Sequence, residues 1–223
     1  MGFPILTIIL VLLILLAFRY RNLTKKTDDS REAFWQRESE ANMTVRRDID
    51  MDALPYIKVP LSKFPSDLTD DDKYMEIIGK IRALSDTRML NLNGKTNTDI
   101  KLEYGRNHLE EMQKVGENFS ELTVLIANLG EYLFSIHRYD DAVTVLEFGI
   151  SIGTDISKNF TVLGDCYANT GKLNKVPDLI EKVQGSGMVM ESAILKHLNT
   201  LLPGAEQASE NFVTEDNAEV RRG

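Results

Sequence analysis

Several clusters in this sequence hold residue types that do chemistry elsewhere, and each lacks the neighbours its chemistry needs. His108, His137 and His197 are scattered, and none has a second histidine at four-residue spacing with the glutamate of a zinc helix. The one cysteine, Cys166, precedes Tyr167 with no basic neighbour in sequence to favour a thiolate. That is the setting of a small buried hydrophobe rather than a nucleophile. Being alone, it also excludes an intrachain disulfide and a multi-cysteine metal site. Asp48-Ile49-Asp50-Met51-Asp52 opens like a calcium loop, but Ala53 and Val59 stand where that loop needs Gly and Glu. Gly94-Lys95-Thr96 ends like a phosphate-binding loop whose earlier glycine is replaced by Met89, so Asn91–Thr96 reads as a turn. Asp70-Asp71-Asp72 precedes Tyr74, Ile77, Ile78, Ile81 and Leu84 at helical spacing, which makes the acids a helix cap. No catalytic residue, cofactor or metal ligand is expected, and an enzymatic reading finds no support.

The element that could position a binding site is a repeat. Asn128-Leu129-Gly130-Glu131 aligns with Val162-Leu163-Gly164-Asp165 at a shift of 34 residues. Each copy continues for one helix, turns near His137 or Gly171, and starts a second helix, Tyr139–Ile150 or Leu173–Val183. The carrying residues are Ile126, Leu129, Gly130, Leu133, Tyr139, Ala142 and Leu146, then Phe160, Leu163, Gly164, Tyr167, Leu173 and Ile180. This period resembles the tetratricopeptide repeat. Gly130 and Gly164 are expected where the two helices of a repeat cross closely. Val176 stands where the family has a small alanine, and Pro177 is harmless only in the first turn of its helix.

The resemblance implies a concave face lined by first helices that holds an extended peptide or a partner helix. By position in the repeat, that face carries Val124, Ala127, Glu131, Phe134 and Ser135, then Lys158, Thr161, Asp165, Ala168 and Asn169. The partner-binding candidates are Val124, Ala127, Glu131, Phe134, Asp165 and Asn169. Its acids favour a basic or amine-bearing ligand. Family members that clamp chaperone C-termini use Lys and Asn where this chain has Ala127, Glu131 and Val162, so that ligand is not expected.

Around the repeat the composition is uneven. Fourteen of the sixteen residues from Phe3 to Phe18 are apolar, so residues 3–20 read as a single transmembrane helix. No basic start and no small-residue cleavage site mark a removable signal peptide. Arg19, Arg21, Lys25 and Lys26 all follow the span, which predicts a single-pass cell-membrane protein with its N-terminus outside and its bulk cytoplasmic. On that orientation the sequons at Asn22, Asn42, Asn118 and Asn159 are chance. Residues 28–223 hold 22 Lys/Arg against 34 Asp/Glu, a net charge of −12, which argues against nucleic acid as a partner.

The expected fold class is all-α. It comprises the anchor (1–27), a juxtamembrane helix and proline-containing linker (28–69), and a short tetratricopeptide-like α-solenoid (70–203). The repeats lie at about 123–156 and 157–190, and an acidic disordered tail covers 204–223. Thr98–Gly105 and His108–Phe119 read as irregular helical pieces at one end. Val189, Ile194, Leu195, Leu198, Leu201 and Leu202 read as the stripe of a capping helix ended by Pro203-Gly204. Trp35 is expected to pack on the domain or a partner.

This layout, with Phe34-Trp35-Gln36-Arg37-Glu38, Tyr56-Ile57-Lys58-Val59-Pro60-Leu61 and Thr144-Val145-Leu146-Glu147-Phe148, resembles single-span tetratricopeptide proteins of anaerobic Gram-positive bacteria over most of residues 30–202. That resemblance implies architecture and not activity. The function expected is a membrane-anchored scaffold that binds a protein or peptide partner. The alternative is a subunit, receptor or assembly factor of a membrane machine whose groove is filled by its own linker around Tyr56–Leu61.

Overall fold

The computed structural model describes residues 31–43 and 49–203, and among them the chain is all-α, with no strand. The helices are α1 (31–43), α2 (Asp72–Ser85), α3 (Asn97–Tyr104), α4 (Leu109–Ser135), α5 (Tyr139–Ser151), α6 (Ser157–Asn169), α7 (Val176–Val183) and α8 (Glu191–Thr200). Among the described residues the chain divides into two compact units: residues 31–43 and 49–54 with 93–113, and residues 55–92 with 114–203. The expected anchor and tail lie outside the described residues, and no described helix is long and apolar enough to cross a membrane.

In the first unit, α1 packs on α3. Ala41, Ile100, Tyr104 and Met112 are its buried apolar residues. A polar seam flanks them. Lys101 donates to Glu38 at 2.5 Å and to Asn42 at 3.0 Å, Thr98 donates to Glu38 at 2.5 Å, and Arg37 pairs with Asp99 at 2.5 Å. α3 starts at a capping box, in which the Thr96 hydroxyl accepts from the Asp99 N–H and the Asp99 carboxylate accepts from the Thr96 N–H. Gly105 ends α3 at φ +90°, a backbone that side chains with a Cβ rarely adopt. Of the two places expected for Trp35, the domain or a partner, it does not take the first. It is 63% exposed and meets only the edge of Phe34 among the ring contacts described.

The second unit is built on α2 and the helices from α4 onward. Asp71 caps α2, its carboxylate accepting from the Tyr74 N–H at 2.9 Å, and Tyr74, Ile78, Ile81 and Leu84 are buried, one every three or four residues. Residues 55–69, within the expected proline-containing linker, are tied to the helices around them. Ile57 donates its N–H to the Met89 carbonyl at 2.9 Å, Phe64 is buried edge-on to Phe148 of α5, and Asp67 receives Arg138 at 2.8 Å. This segment therefore sits on α5. α4 also departs from expectation. His108–Phe119 is no separate piece, because one 27-residue helix runs from Leu109 through the first half of the repeat.

A period of 34 residues is written into the backbone. α4 ends at Ser135 and α6 at Asn169. α5 starts at Tyr139, and the 3-10 turn leading into α7 starts at Leu173. α6 starts at Ser157 and α8 at Glu191. His137 and Gly171 both take positive φ, +62° and +70°, and so do Gly153 and Gly187, at +78° and +70°. Each pair tightens a helix-to-helix turn in the left-handed region. The buried residues follow the same shift: Ile126 and Phe160, Leu129 and Leu163, Leu133 and Tyr167, Ala142 and Val176. Pro177 lies in the first turn of α7, where its missing N–H is not needed.

The two glycines differ in partner. A Cβ on Gly130 would lie 2.3 Å from Leu146 Cδ2, so α4 and α5 cross there within one helical hairpin. A Cβ on Gly164 would meet Leu198 and Leu201 of α8, at 2.5 and 2.9 Å, rather than the α7 contact expected from the repeat. α7 is only eight residues long and leaves that side of α6 to α8. Ile194 and Leu198 bury α8, with Leu195, Leu201 and Leu202 beside them. Val189 is not part of that stripe. It is 82% exposed on the loop before α8.

Candidate partner-binding face

Residues 124, 128, 131 and 135 succeed one another at three- and four-residue steps on α4, and 158, 161, 165 and 168 do so on α6. Both rows face away from the core side chains at 126, 129, 133, 160, 163 and 167. Lys158 links them, its ammonium 2.7 Å from Glu131 and 3.3 Å from Asn128 Oδ1. The next link joins α6 to α8, where His197 Nε2 lies 2.9 Å from Asp165. The first helices thus form a row, α4–α6–α8, bridged once at each step.

The structure separates the six partner-binding candidates. Val124 is 45% exposed, and Glu131 and Asn169 also reach solvent. Phe134 is half-buried, its ring centroid 5.3 Å from that of Tyr139. Asp165 is half-buried against His197. Ala127 is 1% exposed and belongs to the core, so it cannot touch a partner. Its place in the repeat suggested a lining residue, but it lies one step too far round the helix. Glu131 and Asp165 are also not bare acids awaiting a basic ligand, since each already has a cationic or hydrogen-bonding partner from the next first helix. Exposed pairs of this kind hold together by about 0–1 kcal/mol, so a competing cation can replace them. Asn169 donates to the backbone carbonyl of Asp165 at 2.8 Å.

Sequence reasoning missed Lys158 and His197 as structural bridges. Their reach of about one helix spacing depends on how neighbouring hairpins stack, which local spacing does not encode.

The remaining reactive types do not converge. Burial, and secondarily the charge of Asp165, push the Cys166 thiol up to about 12, so it stays protonated and inert. His137 pairs with the Tyr139 hydroxyl at 2.7 Å, and His108, at the end of a 3-10 turn, lies 3.7 Å from Glu111 in the first turn of α4. Asp50 caps a single 3-10 turn, Met51–Ala53. Among the described residues no three His, Cys, Asp or Glu gather as a metal site. Of the sequons, Asn118 is buried and donates to the Arg88 carbonyl at 3.1 Å. Asn159 is fully buried and donates to the Leu146 carbonyl at 3.0 Å, so neither can carry a glycan in this fold. No protein-family model, no curated protein and no solved structure matches the chain.

Proposed function

We propose that this chain is a membrane-anchored interaction module of the tetratricopeptide kind, which holds a peptide or partner helix on the α4–α6–α8 face. Residues 3–20 would be the single span, with the N-terminus outside and the helical domain cytoplasmic. The observation that carries the reading is the 34-residue recurrence of helix boundaries and positive-φ turns, which continues from the two hairpins into α8. Stacked hairpins of this period present their first helices side by side, and the row ends in a polar, partly exposed face with Val124 and Phe134 as its apolar members. Phe64 against Phe148 and Asp67 with Arg138 seat this part of the linker on α5, which supports a partner rather than the linker as the occupant of that face.

The ligand chemistry is set by the pairing. A basic or amine-bearing segment takes Glu131 and Asp165 by displacing Lys158 and His197, an exchange of partners that adds to on-rate and selectivity more than to affinity. Capture of a partner by the full-length chain from detergent-solubilised membranes tests this. Recovery should fall as salt rises, because the Debye length shrinks from about 10 Å at 0.1 M to about 3 Å at 1 M. Glu131→Lys with Asp165→Lys should abolish capture with helicity retained, and Phe134→Ala should weaken it at every salt concentration. A partner indifferent to all three changes would place binding elsewhere.

A further inference from the structure

The opposite side of the second unit carries two clefts that share one residue. The first, of about 330 Å³, is lined by Pro60, Lys63, Phe64, Thr144, Phe148 and Ser151. The second, of about 300 Å³, lies between α5, α6 and α7, where Ile150, Leu163 and Leu179 make an apolar floor under Lys175, Asp178 and Lys182. Glu147 borders both clefts. It is already satisfied, accepting from the Tyr167 hydroxyl at 2.8 Å and from Lys175 at 2.7 Å. Lys63 and Lys182, one at each cleft, have no carboxylate partner among the described residues. A strongly acidic chain thus keeps an apolar double cleft with a cation at either side.

The same chain contains a segment with matching chemistry. Residues 204–223 lie outside the described residues, and Glu210-Asn211-Phe212-Val213-Thr214-Glu215-Asp216 within them sets an aromatic and a branched aliphatic residue between acids. The point of departure is close. Leu201, which closes α8, lies against Gly164 of α6, and Leu163 and Tyr167 of that same helix line the second cleft. One helix is about 10 Å across, and the nine residues from 203 to 212 span up to about 30 Å when extended.

From this juxtaposition we propose that Glu210–Asp216 docks in cis on the double cleft, Phe212 and Val213 on its apolar floor and the flanking acids toward Lys63 and Lys182. The docked segment covers the α5–α7 side, so it acts independently of a partner held on the α4–α6–α8 face.

Zero-length carbodiimide cross-linking of the full-length chain in detergent, read by mass spectrometry, tests this. An equal mixture of chains with natural and ¹⁵N nitrogen separates links within one chain from links between two. The pairs Glu131–Lys158 and Glu147–Lys175, each 2.7 Å apart, serve as controls for an intact fold and working chemistry. The expected result is links from Lys63 or Lys182 to Glu210, Glu215 or Asp216 within single chains. Phe212→Ala should weaken them by about tenfold, the factor for removing a buried aromatic anchor, with the controls unchanged. Control links alone would overturn the proposal. So would tail links in mixed-isotope pairs, which would make the occupant a second copy, or tail links that survive Phe212→Ala, which would reduce the contact to loose charge attraction.

Discussion

At the residue scale, two glycines in helices should respond oppositely to one added methyl. Gly130 faces a fully buried Leu146 whose Cγ and Cδ2 lie 2.4 and 2.3 Å from a Cβ, so the whole side chain must move. Gly79, midway along α2, has nothing within 4 Å of its Cβ position. Gly130→Ala is expected to cost about 1–3 kcal/mol by overpacking, and Gly79→Ala to stabilise by about 0.5–1 kcal/mol by limiting the unfolded chain. Denaturant midpoints compare them, and a Gly130→Ala protein as stable as its parent would refute the close crossing.

Glu147 supplies a pH-dependent counterpart. Burial pushes its carboxyl up, but the Lys175 ammonium and Tyr167 hydroxyl bonded to it outweigh this and hold it below its ordinary 4.5. A carboxyl depressed on folding stabilises the fold above its unfolded value, and the stabilisation is lost as pH falls through the lower folded value. Glu147→Gln should therefore lower stability at neutral pH and lessen the loss seen on acidification below about 4.5. Equal acid sensitivity in variant and parent would show that Glu147 takes no part.

At the element scale, α1 is held to α3 by side chains distant in sequence, Glu38 with Lys101 and Thr98, and Arg37 with Asp99. Lys101, then Thr98, holds the Glu38 carboxyl below its usual range, so the pair is charged at neutral pH. Lys101→Met leaves that carboxylate without its main partner beside the buried Ala41. Amide hydrogen exchange in residues 31–43 should then speed up by about tenfold or more while α5 and α6 keep the parent rates. Unchanged exchange in 31–43 would show that α1 is seated without the Lys101 pair. The α2 cap, the α5 start and the first-turn place of Pro177 were legible in the sequence because caps, periodicity and proline geometry act within a few residues. The length of α4 was not. Residues 109–122 carry fewer apolar residues than 123–135, and Met112, Val115, Phe119 and Leu122 continue the buried side of one helix through them.

At the scale of the whole molecule, the proposed orientation makes a direct prediction. All four basic residues flanking the apolar stretch come after it, and cationic flanks stay in the cytoplasm. Protease added outside intact cells or spheroplasts should leave residues 28–223 uncut, and lysis should expose them. Digestion from outside would reverse the orientation. Even then, the sequons at Asn118 and Asn159 would stay closed to modification in the folded chain, since both side chains are buried in backbone hydrogen bonds.

What the sequence determined by itself is what local physics controls: the all-α class, the caps, the apolar stretch at residues 3–18, and the 34-residue shift. Helical periodicity and turn residues act over one or two turns, and repetition makes the same local signal visible twice. The tertiary structure decided the rest. Ala127 went into the core and Lys158 onto Glu131, because a few tens of degrees about a helix axis separate a buried residue from a lining one. Gly164 was matched to α8, not α7, because the shortness of α7 leaves α6 a different neighbour. The proline-containing segment was drawn onto α5 by Phe64 against Phe148 and Asp67 with Arg138, pairs far apart in the chain that no local pattern encodes.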